Sequence, residues 1–409
     1  MAESSVTIQT YRFERWRAVA NGILETGGTT FLLLIAVKHF EAGATAKALV
    51  ASGGSAGLLV SPLVVSWVQR KGWRTAAAAA RIALVGALAM VAMTVLPWVA
   101  VFVVGSVVAM AASSSAIPLL TQIYQENYPE RKRGHFFSRT VMIRIAVAAL
   151  FSELAGRALT GHMDYYGGLL LIFAGAFALG AYSLTRFPSR PLAASDGSHP
   201  FRALRFARDD RLFRHTLICW MLMGFANLMM LPMRVEYLAN PRYGLAMGVS
   251  EIAFLVGVLP NVARLLMNPL WGWLFDRMNF FVLRVTLNIG FGLGILAFFT
   301  SDSLTGLLLG AVVYGISNAG GDVAWGLWVT KFAPPERVAD YMSVHTFFTG
   351  VRGVLAPFVA FHLVAVLEIG TLGWISGGMI FLASLLLLPE LKHGHGRRQA
   401  AALVEEISE

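Results

Sequence analysis

Twelve apolar stretches of about 20 residues or more follow one another along this chain, near 14–38, 46–68, 75–96, 98–124, 138–160, 165–186, 214–238, 248–274, 280–300, 303–330, 342–366 and 370–389. Each is long enough to cross a hydrocarbon core of about 30 Å as a helix. Backbone amides in lipid must bond within their own segment, so helices are the expected form. Of the 409 residues only 14% are charged, against about 25% in a soluble domain. The stretches leave no connection able to hold a soluble domain. The reading is an all-α integral membrane protein.

The net charge of +10 suggests nucleic acid at first sight, but its distribution argues otherwise. With residue 1 inside, 24 of the 33 Lys and Arg fall on cytoplasmic ends and loops. Five fall on the other side (Lys38, Lys47, Arg157, Arg234, Arg242) and four within spans (Arg81, Arg144, Arg264, Arg352). That bias sets both termini in the cytoplasm and suits contact with anionic lipid. The single cysteine, Cys219, allows no internal disulfide and reads as packing. The opening segment MAESSVTIQTYRFERWR has no cleavable signal pattern, so helix 1 is expected to act as its own insertion signal.

The chain also repeats itself. Trp67 returns as Trp273, Pro129-Glu130-Arg131 as Pro335-Glu336-Arg337, and Asn21 as Asn227, all at an offset of 206 residues. A polar stretch over 187–213 separates six helices from six, with Pro, Gly and Ser first and arginines after. The expected organisation is a six-helix bundle over 1–186, a cytoplasmic linker over 187–213, a second six-helix bundle over 214–391 and a cytoplasmic tail over 392–409.

This arrangement resembles the major facilitator superfamily over nearly the whole chain. The sharpest local match is Gly272-Trp273-Leu274-Phe275-Asp276-Arg277, which is similar to the family's G-x-L-x-D-R loop. The resemblance implies a gating role for Asp276 and Arg277, a monomer, and a central cavity lined by the first and fourth helices of each half with help from the second and fifth. The first half departs from the motif, with Ser66 for the glycine and Arg70 for the aspartate. Helix 4 lacks the membrane arginine of many proton-coupled members, and helix 5 lacks the Gly-Pro motif of drug/proton antiporters.

Ionisable residues deep in a span are costly and usually face a bundle interior. Asn21 and Glu25 share a face of helix 1, as do Asn318, Asp322 and Trp325 on helix 10. Helix 8 carries Asn261, Arg264 and Asn268; helix 11 carries His345, Thr349 and Arg352; helix 5 carries Arg144, Glu153 and Arg157. All five are cavity helices by the resemblance. Simpler readings stand beside the functional one. Arg81 can snorkel to the interface, Glu153 and Arg157 can pair at the surface, Arg144 can be interfacial, and His345 can be a satisfied polar side chain. Asn21 and Asn227 can be interhelical hydrogen-bond glue. Glu25, Arg264, Asp322 and Arg352 can neutralise one another in fixed ion pairs.

No phosphate loop, metal-ligand spacing or nucleophile elbow is present in the sequence, so neither an enzyme nor a bound metal or cofactor is expected. The leading expectation is a secondary transporter of the plasma membrane, such as a bacterial inner membrane. It would move a small polar organic solute, anionic or zwitterionic, by alternating access coupled to protons or another ion. Arg264 and Arg352 would meet the solute's negative group, Glu25 or Asp322 would take the proton, and Asn21, Asn227, Asn318 and Trp325 would shape the pocket. One alternative is an exporter of amphipathic or cationic compounds using Glu25 and Asp322. Another is a non-transporting receptor or assembly subunit with the same fold.

Overall fold

In the computed structural model, residues 5–192, 204–301, 303–331 and 338–393 are described. Among them, eleven helices are long and apolar enough to cross a membrane. We number the long helices in chain order as α1 (Ser5–Lys38), α2 (Ala44–Lys71), α3 (Thr75–Val95), α4 (Val99–Asn127), α5 (Glu130–Leu159), α6 (Met163–Thr185), α7 (Arg211–Ala239), α8 (Val249–Phe275), α9 (Phe280–Phe299), α10 (Leu304–Trp325), α11 (Tyr341–Leu363) and α12 (Ile369–Leu391). Of these, α5 stands apart from the eleven; it runs 30 residues and carries Arg139, Arg144, Glu153 and Arg157. The polar connection between α6 and α7 includes one short helix, Arg205–Asp209.

Local chemistry sets the ends of several helices. Asp210 caps α7 by accepting from the Phe213 amide at 3.0 Å, Asn279 caps α9 by accepting from Phe281 at 2.9 Å, and Ser303 caps α10 by accepting from Gly306 at 3.1 Å. Each satisfies an amide that has no partner within its own helix. Gly72 closes α2 in the left-handed region at φ 62°, a conformation that costs glycine nothing. The α-helical path of α4 breaks at Ala116, two residues before Pro118, whose ring nitrogen cannot continue the ladder.

Helix α1 begins well before the apolar stretch that the sequence shows. One face of its polar first turns, with Thr7, Thr10 and Glu14, is buried against the end of α4. Thr7 donates to the Asn127 carbonyl at 2.9 Å. Glu14 and Arg17 pair at 2.6 Å, and Tyr124 donates to Glu14 at 2.8 Å. Arg17, read as a loop-side charge, is therefore internal.

Packing divides the helices into two groups. In the first, α3 lies on α4 and α6, α2 on α4, and α1 on α5 and α6; in the second, α10 lies on α8 and α9, α12 on α7 and α9, and α7 on α11. The groups meet along α2 with α11 and α5 with α8. At the first seam Gly350 abuts Leu59 and Gly353 abuts Ser55, small residues that let backbones close up where dispersion, not water exclusion, drives association.

One end of the bundle, carrying the connections after odd-numbered helices, is tied across this seam. Lys47 on α2 pairs with Glu236 on α7 at 2.6 Å, and Asn240 donates to the same carboxylate at 2.8 Å. Lys38 donates to the Met247 carbonyl at 2.6 Å. Lys47 and Arg234, read from sequence as outer-surface charges, are both buried. Each has a reason: Lys47 has its carboxylate, and the Arg234 guanidinium lies 3.8 Å from the centre of the Tyr314 ring.

Candidate functional site

Two helices lose regular α-geometry inside the membrane. In α1 the segment Gly27–Phe31 is a π-turn, starting two residues after Glu25. In α8 the segment Ala253–Val258 is another, ahead of Arg264. The two π-segments pack on each other across the seam between the halves. Such turns are rare and concentrate where helices serve a function; here they flank Glu25 and Arg264, which pair across the halves.

Around that contact lies a ladder of charges. The Arg264 guanidinium meets Glu25 at 2.5 Å and Asp322 at 2.5 Å, and donates to Asn261 Oδ1 at 3.3 Å. Arg144 pairs with the second oxygen of Glu25 at 3.0 Å. The ladder thus runs α5–α1–α8–α10, with two residues from each half. Arg264, in the middle, has a side chain only 6% exposed, whereas Arg144 and Asp322 at the ends are each 33% exposed. Two guanidinium groups face two carboxylates, so the ladder is formally neutral. Such an arrangement makes deep burial tolerable.

A second cluster holds the other arginine expected at a solute. On α11, Arg352 donates to the Trp220 carbonyl at 2.6 Å, and a Cβ at Gly224 would overlap its guanidinium. Beside it Arg284 on α9 stacks over Trp220, 3.8 Å from the ring centre. His345, fully buried, sits edge-on to Trp220 at 5.3 Å and Trp328 at 5.2 Å. Trp325 turns toward His345, its ring 5.7 Å away. The structure therefore brings Glu25, Arg264, Asp322 and Arg144 together and gives Arg352 a different set of neighbours.

The remaining candidates fall as follows. Asn21 and Asn318 lie one turn before Glu25 and Asp322, both partly buried. Asn227 lines a small pocket with Arg234 and Tyr314, and its buried Oδ1 has no hydrogen-bond partner among the described residues. The side chain of Asp276 lies outside the described residues. Arg277 is exposed and its guanidinium sits 4.4 Å from the centre of the Trp273 ring. Arg81 likewise reaches the Trp73 ring at 4.0 Å, and Glu153 and Arg157 pair at 2.5 Å on the surface.

Sequence reasoning misjudged several groups. Arg284, counted with the loop charges, is 2% exposed; it lies one turn inside α9, where proximity in sequence to a loop hides its inward direction. His345, read as a satisfied side chain, has neither ring nitrogen hydrogen-bonded among the described residues. Arg144, one of several equal readings, is the partner of Glu25. No sequence signal marks the π-segments.

A model of the Major Facilitator Superfamily matches residues 243–406. The fold extends the likeness to the whole chain. The nucleoside transporter NupG superposes with a TM-score of 0.72 at 15% identity, covering 95% of this chain and 100% of that one. The second half thus matches the superfamily's sequence model, and the fold over the whole chain is the one NupG has. A POT family transporter in complex with 5-aminolevulinic acid gives 0.72 at 13% identity, over 95% of this chain and 96% of that one. The xylose transporter XylE from E. coli, in a partially occluded inward-open conformation, gives 0.62 at 16%, over 93% and 96%. No curated protein matches the chain by sequence.

Proposed function

We propose that this protein is a secondary active transporter that moves a small anionic or zwitterionic organic solute by alternating access, driven by protons. The observation that carries this reading is the neutral charge ladder between the halves. Arg264 is held by two carboxylates at once. Protonation of either one loosens its grip and frees donors on Arg264 for a carboxylate or phosphate of the solute. Proton and anion then enter together without leaving net charge buried, as the low-dielectric site demands. Asp322 and Glu25 are the proton carriers in this scheme, and Asn21, Asn318 and Asn261 line the approach.

The scheme gives the ladder a second duty. It joins the halves near the middle of α8, and the Lys47–Glu236 and Lys38–Met247 contacts join them at one end. With α5 as the twelfth span and both termini cytoplasmic, that end is the outer one. The conformation is then outward-closed, and the halves, 1–186 and 214–391, rock about the ladder. Arg277 and Asp276 act at the opposite end, consistent with the motif they complete. The bacterial inner membrane suits the charge asymmetry of the loops.

Purified protein in proteoliposomes, challenged with a panel of carboxylates, amino acids, short peptides, nucleosides and pentoses, tests this directly. Accumulation of a carboxylate-bearing solute, stimulated by an acid-outside gradient, is the expected result. Uptake confined to uncharged nucleosides or sugars, or indifferent to the gradient, refutes the solute class or the coupling respectively.

A further inference from the structure

The cluster around Trp220 differs from the ladder in one respect: its cations have no acid. Arg284 is 2%, Arg352 8% and His345 0% exposed. All three surround one residue: Arg284 lies 3.8 Å from the centre of the Trp220 ring, Arg352 donates to the Trp220 carbonyl, and the His345 ring lies 5.3 Å from that ring. Among the described residues none of the three is paired with a carboxylate. Their partners are neutral: the Trp220 carbonyl for Arg352, and the Met223 sulfur at 3.4 Å plus the Trp220 ring for Arg284. Unspent polar groups lie on α11 here as well. The Arg352 Nε, both ring nitrogens of His345 and the Thr349 hydroxyl are buried without hydrogen-bond partners among the described residues.

Two guanidinium groups out of water, repelling each other and only partly hydrogen-bonded, form an arrangement that a folded chain avoids unless something neutralises it. We infer that Arg284, Arg352, His345 and Thr349 form a binding site for a small monovalent inorganic anion of the halide class, inside the second half and separate from the charge ladder. The class follows from size and charge. Side chains exposed by no more than 8% leave no opening for an organic solute, so a single small ion is the class that suits them. The donors offered are N–H and O–H groups, and tryptophan rings close the site on several sides. Its three helices, α7, α9 and α11, are joined within one half. The bound anion therefore holds that half together as a rigid body, whichever solute the protein carries.

The probe is sodium chloride against sodium gluconate at equal ionic strength, with detergent-purified full-length protein. Chloride is expected to raise Tm saturably, by a few degrees at ~100-fold above half-saturation. Arg284→Met is expected to abolish that response while being at least as stable as the wild type in gluconate, since it removes an uncompensated cation. A readout independent of any variant comes from Trp220, Trp325 and Trp328. Iodide should quench wild-type fluorescence with a saturable component, over the linear collisional background, that chloride competes away. Equal Tm in chloride and gluconate, a saturable response retained in Arg284→Met, or purely linear quenching would each overturn the site. So would a response to phosphate or acetate without one to chloride. None of these readings depends on transport, so failure here leaves the ladder untouched.

Discussion

Two of the arginine sites in the membrane part of this molecule handle buried charge in opposite ways. At the seam, Arg264 and Arg144 are matched one for one by Glu25 and Asp322. Within the second half, Arg284 and Arg352 are matched by none among the described residues. The first arrangement is complete without a ligand and must be opened to bind one. The second is incomplete without a ligand and must be filled to be comfortable. The difference teaches that a buried arginine does not by itself mark a solute site; the state of its partners decides what it can do.

Removing one member from each site tests the contrast most strongly. Arg264→Gln strands Asp322, while Glu25 keeps only Arg144, and should lower stability by about 3–5 kcal/mol, read by chemical denaturation in detergent. The double change Arg264→Gln, Asp322→Asn, which leaves Arg144 paired with Glu25, should recover much of that loss while transport stays absent. Lys47→Met strands the Glu236 carboxylate, whose side chain is 1% exposed, and should cost about 3 kcal/mol, with Glu236→Gln restoring part of it. Gly224→Ala pushes on the Arg352 guanidinium and threatens its bond to the Trp220 carbonyl. A loss of about 1–3 kcal/mol is expected, measured by thermal unfolding in chloride. At the small end, Glu153→Gln removes an exposed surface pair, and a change below about 1 kcal/mol is expected. A loss at Glu153 as large as that at Arg264 would erase the distinction between buried and surface pairs.

The parts legible in the sequence are those where the bilayer admits one solution. Apolar stretches of spanning length can only be helices, and Glu25, Arg264 and Asp322 stand out because charge is rare among such residues. Their mutual contact was not legible, because residues 239 positions apart meet through the packing of two halves. Arg284 was hidden for the converse reason. Near a helix start the same residue can face lipid headgroups or the protein interior, and only the position of Trp220 decides it. The polar opening of α1 was truncated in the reading because hydropathy cannot register that Glu14, Arg17 and Tyr124 satisfy one another. The π-segments depend on how α1 and α8 fit together, and no residue pattern encodes that alone.

The central claim is that the ladder is where proton and solute exchange places. The most direct measurement is proton-driven accumulation against solute counterflow in proteoliposomes, for Asp322→Asn and Glu25→Gln, using the solute that the uptake panel identifies. At least one of the two should keep counterflow while losing accumulation driven by the pH gradient. If both variants accumulate solute under the gradient as the wild type does, the ladder is a fixed structural pairing and the claim is wrong.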